Sequence, residues 1–258
     1  MSLLSVRGLT KRFGGLLAND TISFEVPDGM LLAVIGPNGA GKTTLFNIIS
    51  GVLAPSSGTV WFDGRDITAL SAAQTALLGV IRTYQLVQLF KDLTVEENVL
   101  VGSHRITRGG IAAALFRPRW VREQEGRLRD EARELLAFVG LGQMGEVFAD
   151  RLPYGQQRLL EIARALAAKP RLLLLDEPAA GLNIEETAAL ADIIVRINRG
   201  GTTVLLIEHD MSLIMKIASR IVVLDFGRVI AEGTADDIRK HPDVIAAYLG
   251  DETTADLV

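Results

Sequence analysis

The chain has 258 residues, is 48% hydrophobic and 22% charged, and carries a net charge of −4. That length suits one large α/β domain or a core with a smaller attached subdomain, and the slight acidity argues against general nucleic-acid binding, which needs a basic field. The absence of cysteine excludes disulfides and thiolate metal sites. The first residues lack a signal-peptide layout, and no apolar run approaches the roughly 18 residues that span a bilayer. A soluble protein is therefore expected, with any membrane role exercised through a partner.

Residues 3 to 29 read as short strands with turns. Ile22, Phe24 and Val26 alternate with polar residues at strand periodicity. Phe13 stands beside Gly14 and Gly15 in a polar loop, either as a small core anchor or as a platform for a stacked base. The apolar run from Met30 to Ile35 then feeds Gly36-Pro37-Asn38-Gly39-Ala40-Gly41-Lys42-Thr43-Thr44, and a helix pattern follows. This is the G-x-x-x-x-G-K-[ST] phosphate-binding loop, whose glycines let several N–H groups point at one anionic spot. A helix opening near Lys42 adds the positive end of its dipole. Lys42 suits the β/γ-phosphates and the Thr43 hydroxyl suits Mg²⁺.

Thr59 to Phe62 predicts a strand closed by a hairpin-type turn at Asp63-Gly64, so an antiparallel β layer surrounds the loop unit. Val80 to Tyr84 predicts another short strand, followed by Gln85. A glutamine at a strand end can offer its carbonyl to a metal and its amide to a water, or simply be solvated. Leu86, Val87, Leu89, Phe90, Leu93 and Val95 put much apolar surface on a loop, as subdomain core or as a docking groove for another protein. Between residues 102 and 122 there is no acid, but Arg105, Arg108, Arg117, Arg119 and Arg122 lie beside Phe116 and Trp120. That composition fits a solvated basic face or contact with lipid headgroups. An amphipathic helix from Arg122 to Val139 follows, with Leu128, Ala132, Leu135, Leu136 and Val139 on one face.

Leu152-Pro153-Tyr154-Gly155-Gln156-Gln157-Arg158 opens another helix, with Gly155 where exposed N–H groups favour an anion or as part of a plain Pro/Gly helix start. Leu172 to Leu175, four consecutive leucines, predicts a strand buried on both faces that ends in Asp176 and Glu177. Carboxylates at such a strand end point into the crevice where α/β sheets bind ligands. Asp176 suits a hold on hydrated Mg²⁺, and Glu177 suits orienting or deprotonating an attacking water. Thr203 to Ile207 predicts a further parallel-type strand, closed by Glu208-His209-Asp210, and His209 at that strand end is placed to bond a phosphate. Ile221 to Ile230 predicts a closing hairpin, Thr234 with Asp237 a helix cap, and Pro242 the start of a last helix ending near Leu249-Gly250.

Together and in this order, the motifs resemble those of the ATP-binding subunit of ABC transporters, from about residue 3 to residue 250. Gly36 to Thr44 resembles the Walker A loop, Gln85 the Q-loop, Leu172 to Asp176 the Walker B strand and Glu177 its catalytic carboxylate. Ala180-Gly181-Leu182-Asn183 stands at the D-loop and His209 at the switch histidine; Phe13 takes the place of the adenine-stacking aromatic. Within the family the chain is most similar to the branched-chain amino-acid importer ATPases, through Lys-Arg-Phe-Gly-Gly, the insert at 102 to 130, Leu-Pro-Tyr-Gly-Gln-Gln-Arg, Asp-Glu-Pro-Ala-Ala-Gly-Leu-Asn and the ending Ala-Tyr-Leu-Gly. Urea or amide importers and some lipid exporters share many of these features, and a soluble ABC-type ATPase is a rival from another class. Two departures stand out. Pro153 and Tyr154 replace the serine and first glycine of L-S-G-G-Q, and Asn183 replaces the usual aspartate.

The resemblance implies an α/β fold of P-loop NTPase type, with a mostly parallel sheet core, an antiparallel β subdomain and an inserted α-helical subdomain. Residues 1–85 and 169–250 are expected to form the ATP-binding core, 86–168 the helical signature subdomain and 251–258 a frayed tail. It implies ATP and Mg²⁺ as cofactors, with Glu177, His209, Gln85 and Lys42 catalytic and Thr43, Gln85 and Asp176 around the metal. Phe13, Gly36 to Thr44, Gly155 and Gln156 are expected at the nucleotide. The implied partners are a second ATP-binding subunit, two transmembrane permease subunits and, indirectly, a substrate-binding protein, at the cytoplasmic face of the membrane.

Overall fold

The computed structural model describes residues 2–103 and 119–249. Arg105, Arg108, Phe116 and Arg117 of the basic stretch, and the tail 251–258, lie outside the described residues. The chain builds two sheets. The antiparallel one has the order β2-β1-β4-β5, from β1 (Ser2–Phe13), β2 (Leu16–Pro27), β4 (Ser57–Phe62) and β5 (Arg65–Asp66). The other has the order β10-β9-β3-β8-β7-β6, from β3 (Leu31–Ile35), β6 (Val80–Arg82), β7 (Leu172–Asp176), β8 (Thr203–Ile207), β9 (Arg220–Asp225) and β10 (Arg228–Gly233). Its strands run parallel except β10, which turns back on β9.

Every residue of β3, β7 and β8 is buried, as strands covered on both faces require. The four leucines of β7 divide by alternation. Leu173 and Leu175 join one buried cluster, and Leu172 and Leu174 join the other. The second cluster holds Leu45, Phe46 and Ile49 of α1 (Lys42–Ile49) and Leu4, Val6 and Phe24 of the antiparallel sheet. The first holds Val95 and Val99 of α3 (Val95–Gly102), Ala132 and Leu136 of α4 (Arg119–Phe138), Leu160 and Ile162 of α5 (Tyr154–Ala167), and Leu190 and Ile194 of α6 (Ile184–Arg199). The helical stretch after Gln85 thus shares its core with one face of the parallel sheet. A third cluster seats α7 (Met211–Ile217), α8 (Ala235–Arg239) and α9 (Pro242–Leu249) against β3 and β9.

Two details differ from expectation. Residues 3 to 29 form two 12-residue strands instead of several short ones, and bulges between Val6 and Leu9 bend the first. The fold also contains α2 (Ala72–Leu78), which the hydrophobic pattern did not suggest because Thr75 is its one buried residue. Its start was legible as a capping box, with the Gln74 amide oxygen accepting the Ser71 N–H at 2.9 Å. The Thr234–Asp237 cap forms as expected.

Leu206 is fully buried in the centre of the parallel sheet. Leu206→Ala should lower unfolding free energy by about 2–5 kcal/mol, read from urea denaturation of both proteins.

Candidate functional site

The strand order sets the site. β3 carries the phosphate-type loop at its carboxyl end, β7 carries Asp176 and Glu177, and β8, lying between them, carries Glu208 and His209. Parallel strands bring all three ends to one edge of the sheet.

The loop is a tight fit. Gly36 has φ +149°, and a Cβ there would sit 2.0 Å from the Leu224 carbonyl oxygen. Gly41 has φ +95°, and a Cβ there would sit 2.3 Å from the Ala18 carbonyl oxygen. Neither position tolerates a side chain, so the loop is pressed between β9 and β2. Gly41 then N-caps α1 without any side-chain cap, and the first turn of the helix contains no acid. Lys42 is buried, and its Nζ donates to the carbonyls of Gly36 at 2.7 Å and Pro37 at 2.9 Å. Burial holds its pKa below the usual lysine value, against the opposing pull of the Glu177 and Asp176 charges. Thr43 is exposed at the mouth and Thr44 half-buried.

Glu177 occupies the left-handed region at φ +47°, a costly conformation for a residue with a Cβ and one found at functional sites. The turn aims its carboxylate back over the sheet edge. Its N–H donates to the Ile207 carbonyl at 2.9 Å. Its Oε2 accepts from Gln85 Nε2 at 2.6 Å, and its Oε1 lies 2.8 Å from His209 Nε2. The structure thus brings Gln85, Glu177 and His209 into one chain of contacts, although 92 and 32 residues separate the pairs.

Asp176 has a partner that the sequence did not reveal. Arg82, with its side chain buried, donates from Nη2 to Asp176 Oδ2 at 2.7 Å and from Nη1 to Asn47 Oδ1 at 2.7 Å. One guanidinium therefore ties β6, β7 and α1 together. The sequence signal was an arginine inside a short apolar strand, a position where an unpaired charge would be prohibitive.

A cleft of about 400 Å³ is lined by Phe13, Leu16, Asn38 to Thr44, Glu177, His209 and Phe226. Gln85 reaches it through Glu177. Gly155 and Gln156, at the start of α5, are not among its lining residues. Phe13 ends β1 and is half exposed, with Lys11 Nζ 5.1 Å from its ring centroid. Phe226 sits at the β9–β10 hairpin tip with φ +42° and is 87% exposed. A large aromatic in an Asp-Phe-Gly turn was the available signal for it.

Thr43, Gln85 and Asp176 offer a hydroxyl, an amide carbonyl and one carboxylate, all hard oxygens. Asp176 Oδ2 is already engaged by Arg82. The described residues contain no group of three or more His, Cys, Asp or Glu side chains that would cage a metal. Such a set fits Mg²⁺, which keeps waters and leans on substrate phosphates, better than a cation needing many protein ligands.

Residues 19–180 match the family model described as ABC transporter. The chain belongs to the ABC transporter family. Residues 228–254 of this cassette also match the model described as branched-chain amino acid ATP-binding cassette transporter. The cassette is 45% identical over 250 residues to the high-affinity branched-chain amino acid transport ATP-binding protein LivG of Salmonella typhimurium, covering 96% of this chain and 98% of the relative. Among solved structures it is similar to the ADP conformation of MJ1267, an ATP-binding cassette of an ABC transporter, with TM-score 0.85 and 32% identity over 97% of this chain and all of the other. It is also similar to the dimeric ATP-binding cassette MJ0796 bound to ADP and Pi, with TM-score 0.76 and 26% identity over 90% of this chain and 98% of the other. The α/β cassette fold is that of these neighbours.

Behind the cassette's cleft, Glu208 accepts N–H bonds from Ala179 at 2.6 Å and His209 at 3.1 Å. Burial nevertheless pushes its carboxyl up from 4.5 to about 7. A folded pKa above the unfolded one means a contribution fully present below about pH 4.5 and lost as pH rises through about 7. Glu208→Gln cannot titrate. The stability of the wild type relative to this variant should fall by about 3 kcal/mol from about pH 4.5 to about pH 8, measured by urea melts of both proteins. A difference that stays flat with pH would count against this assignment.

Proposed function

We propose that this chain is the ATP-hydrolysing subunit that powers an ABC importer of branched-chain amino acids, working at the cytoplasmic face of the membrane. The observation that carries the chemistry is the double hold on Glu177, by Gln85 at 2.6 Å and His209 at 2.8 Å, at the edge of the cleft that the glycine loop lines. The name of the relatives and the match at residues 228–254 support the substrate class.

In this reading the loop N–H groups from Gly36 to Thr44 and the α1 dipole receive the β- and γ-phosphates. Lys42 exchanges its bonds to Gly36 and Pro37 for phosphate oxygens, and Phe13 stacks the adenine. Thr43, Gln85 and Asp176 would hold Mg²⁺, which supplies charge neutralisation on the phosphates when bound. Glu177 takes a proton from the water that attacks the γ-phosphorus, as the bond to the bridging oxygen breaks and ADP leaves. His209 fixes the Glu177 carboxylate and faces the γ-phosphate. Pre-organised positioning and electrostatics carry most of the rate.

Gly155 and Gln156 stand outside their own chain's cleft, which supports a second ATP-binding subunit whose signature helix closes it. The dimeric cassette structure with ADP and Pi supports the pairing of two such subunits. Pro153, the N-cap of α5, brings neither hydroxyl nor N–H, so Gly155 N–H, Gln156 and the helix dipole serve in its place. No helix among the described residues is long and apolar enough to cross a membrane. Two transmembrane permease subunits would dock near Gln85, where Leu86 and Phe90 are exposed, and a substrate-binding protein would act through them. We place the helical signature subdomain at 86–168 and the ATP-binding core at 1–85 and 169–250.

Glu177→Gln should bind MgATP yet hydrolyse it at least ~100-fold more slowly, measured by phosphate release beside a binding titration. Near-normal turnover would remove Glu177 as the water's partner. Pro153→Ser should change turnover only modestly; a loss beyond ~100-fold, about 2.7 kcal/mol in the barrier, would reject the role given to Gly155.

A further inference from the structure

Arg158 is the largest fully buried side chain of the protein's described residues, and the catalytic reading leaves it without a task. It lies one turn into α5. Its Nη1 donates to the Tyr84 carbonyl at 2.8 Å and to Glu161 Oε2 at 2.9 Å. Its Nη2 donates to the Gln85 carbonyl at 2.6 Å and to the Tyr154 hydroxyl at 3.2 Å. The Tyr154 ring reaches across to the D-loop, where a Cβ on Gly181 would meet it at 3.1 Å. A planar guanidinium makes all four of these bonds from its two terminal nitrogens in fixed directions, one more than the three donors of an ammonium can supply. The cost of burying that charge is offset by Glu161, itself buried.

The grip has a directional consequence. The Gln85 backbone is fastened to the start of α5, while the Gln85 side chain is fastened to Glu177. Displacing α5 therefore displaces the residue that holds the hydrolytic carboxylate of the same chain. On the dimer reading above, α5 faces the nucleotide of the other subunit. We propose that Arg158 is a positioning residue that couples the two ATP sites of the dimer, reporting contact of α5 with one nucleotide to Gln85 and Glu177 at the other. Tyr154, which departs from the family pattern, is part of this clamp and touches the D-loop as well.

The test uses the full chain. Arg158→Lys keeps a cation opposite Glu161 but, with three donors on one nitrogen, cannot keep the bonds to Tyr84, Gln85, Glu161 and Tyr154 together. ATP-dependence of phosphate release should give a Hill coefficient above 1 for the wild type and a value falling toward 1 for Arg158→Lys. A merely structural role would lower turnover or melting temperature without moving the coefficient. An unchanged coefficient in the variant, or a wild-type coefficient of 1, overturns the proposal. If Arg158→Lys does not fold, the charge-neutral pair Arg158→Gln with Glu161→Gln carries the same expectation. MgATP-dependent dimerisation of Glu177→Gln, followed by size-exclusion chromatography, separates the two readings. No dimer overturns the paired arrangement and this coupling with it, whereas a dimer with intact cooperativity in the Arg158 variants overturns the coupling alone.

Discussion

Three parallel strands with their carboxyl ends flush are the constraint on which the site depends. β3, β8 and β7 are neighbours, in register from Leu31 opposite Val204 to Asp176 opposite Ile207. A slip of one residue would send every side chain of the strand into the opposite buried core. It would also move the glycine loop relative to Glu177 by one strand step, about 3.3 Å, more than a hydrogen bond tolerates. The register that fills two cores is thus also what sets the distance between the glycine loop and Glu177.

Charge is handled by pairing across elements. Lys42 and Arg82 are cations at the buried edge, and Asp176 and Glu177 are two of the acids there, beside Glu208. Arg82 binds Asp176 directly, whereas Glu177 is held by a neutral amide and an imidazole. The two acids, adjacent in sequence, therefore meet different environments. One is locked by a full countercharge in the interior, and the other stays at the cleft with partners that can give way. That division matches a structural and metal-side task for Asp176 and a proton-handling task for Glu177.

Much of this was legible beforehand. The buried strands, the glycine loop and the acids at a strand end follow from local pattern, because period and turn chemistry are written in neighbouring residues. Gln85 and His209 were placed at strand ends, yet their shared hold on Glu177 depends on sheet order, which no local pattern encodes. Arg82 carried only the hint of a charge inside an apolar strand and Arg158 none, because a guanidinium's partners are known only once its carbonyls and carboxylates are assembled around it. Tyr154 and Pro153 were seen as departures from a motif. Only the packing of Tyr154 on Gly181 and its bond to Arg158 show what the tyrosine replaces the glycine for.

Gly155 has one more neighbour. A Cβ there would fall 2.5 Å from Glu186 Oε1, and Glu186 is the carboxylate that closes the Asn183 cap of α6 by accepting the Asn183 N–H at 3.0 Å. The first turns of α5 and α6, which belong to different motifs, are thereby in close contact within one chain. A side chain added at residue 155 would have to displace the Glu186 carboxylate and so would loosen the start of α6, making the integrity of one helix end conditional on the smallness of another.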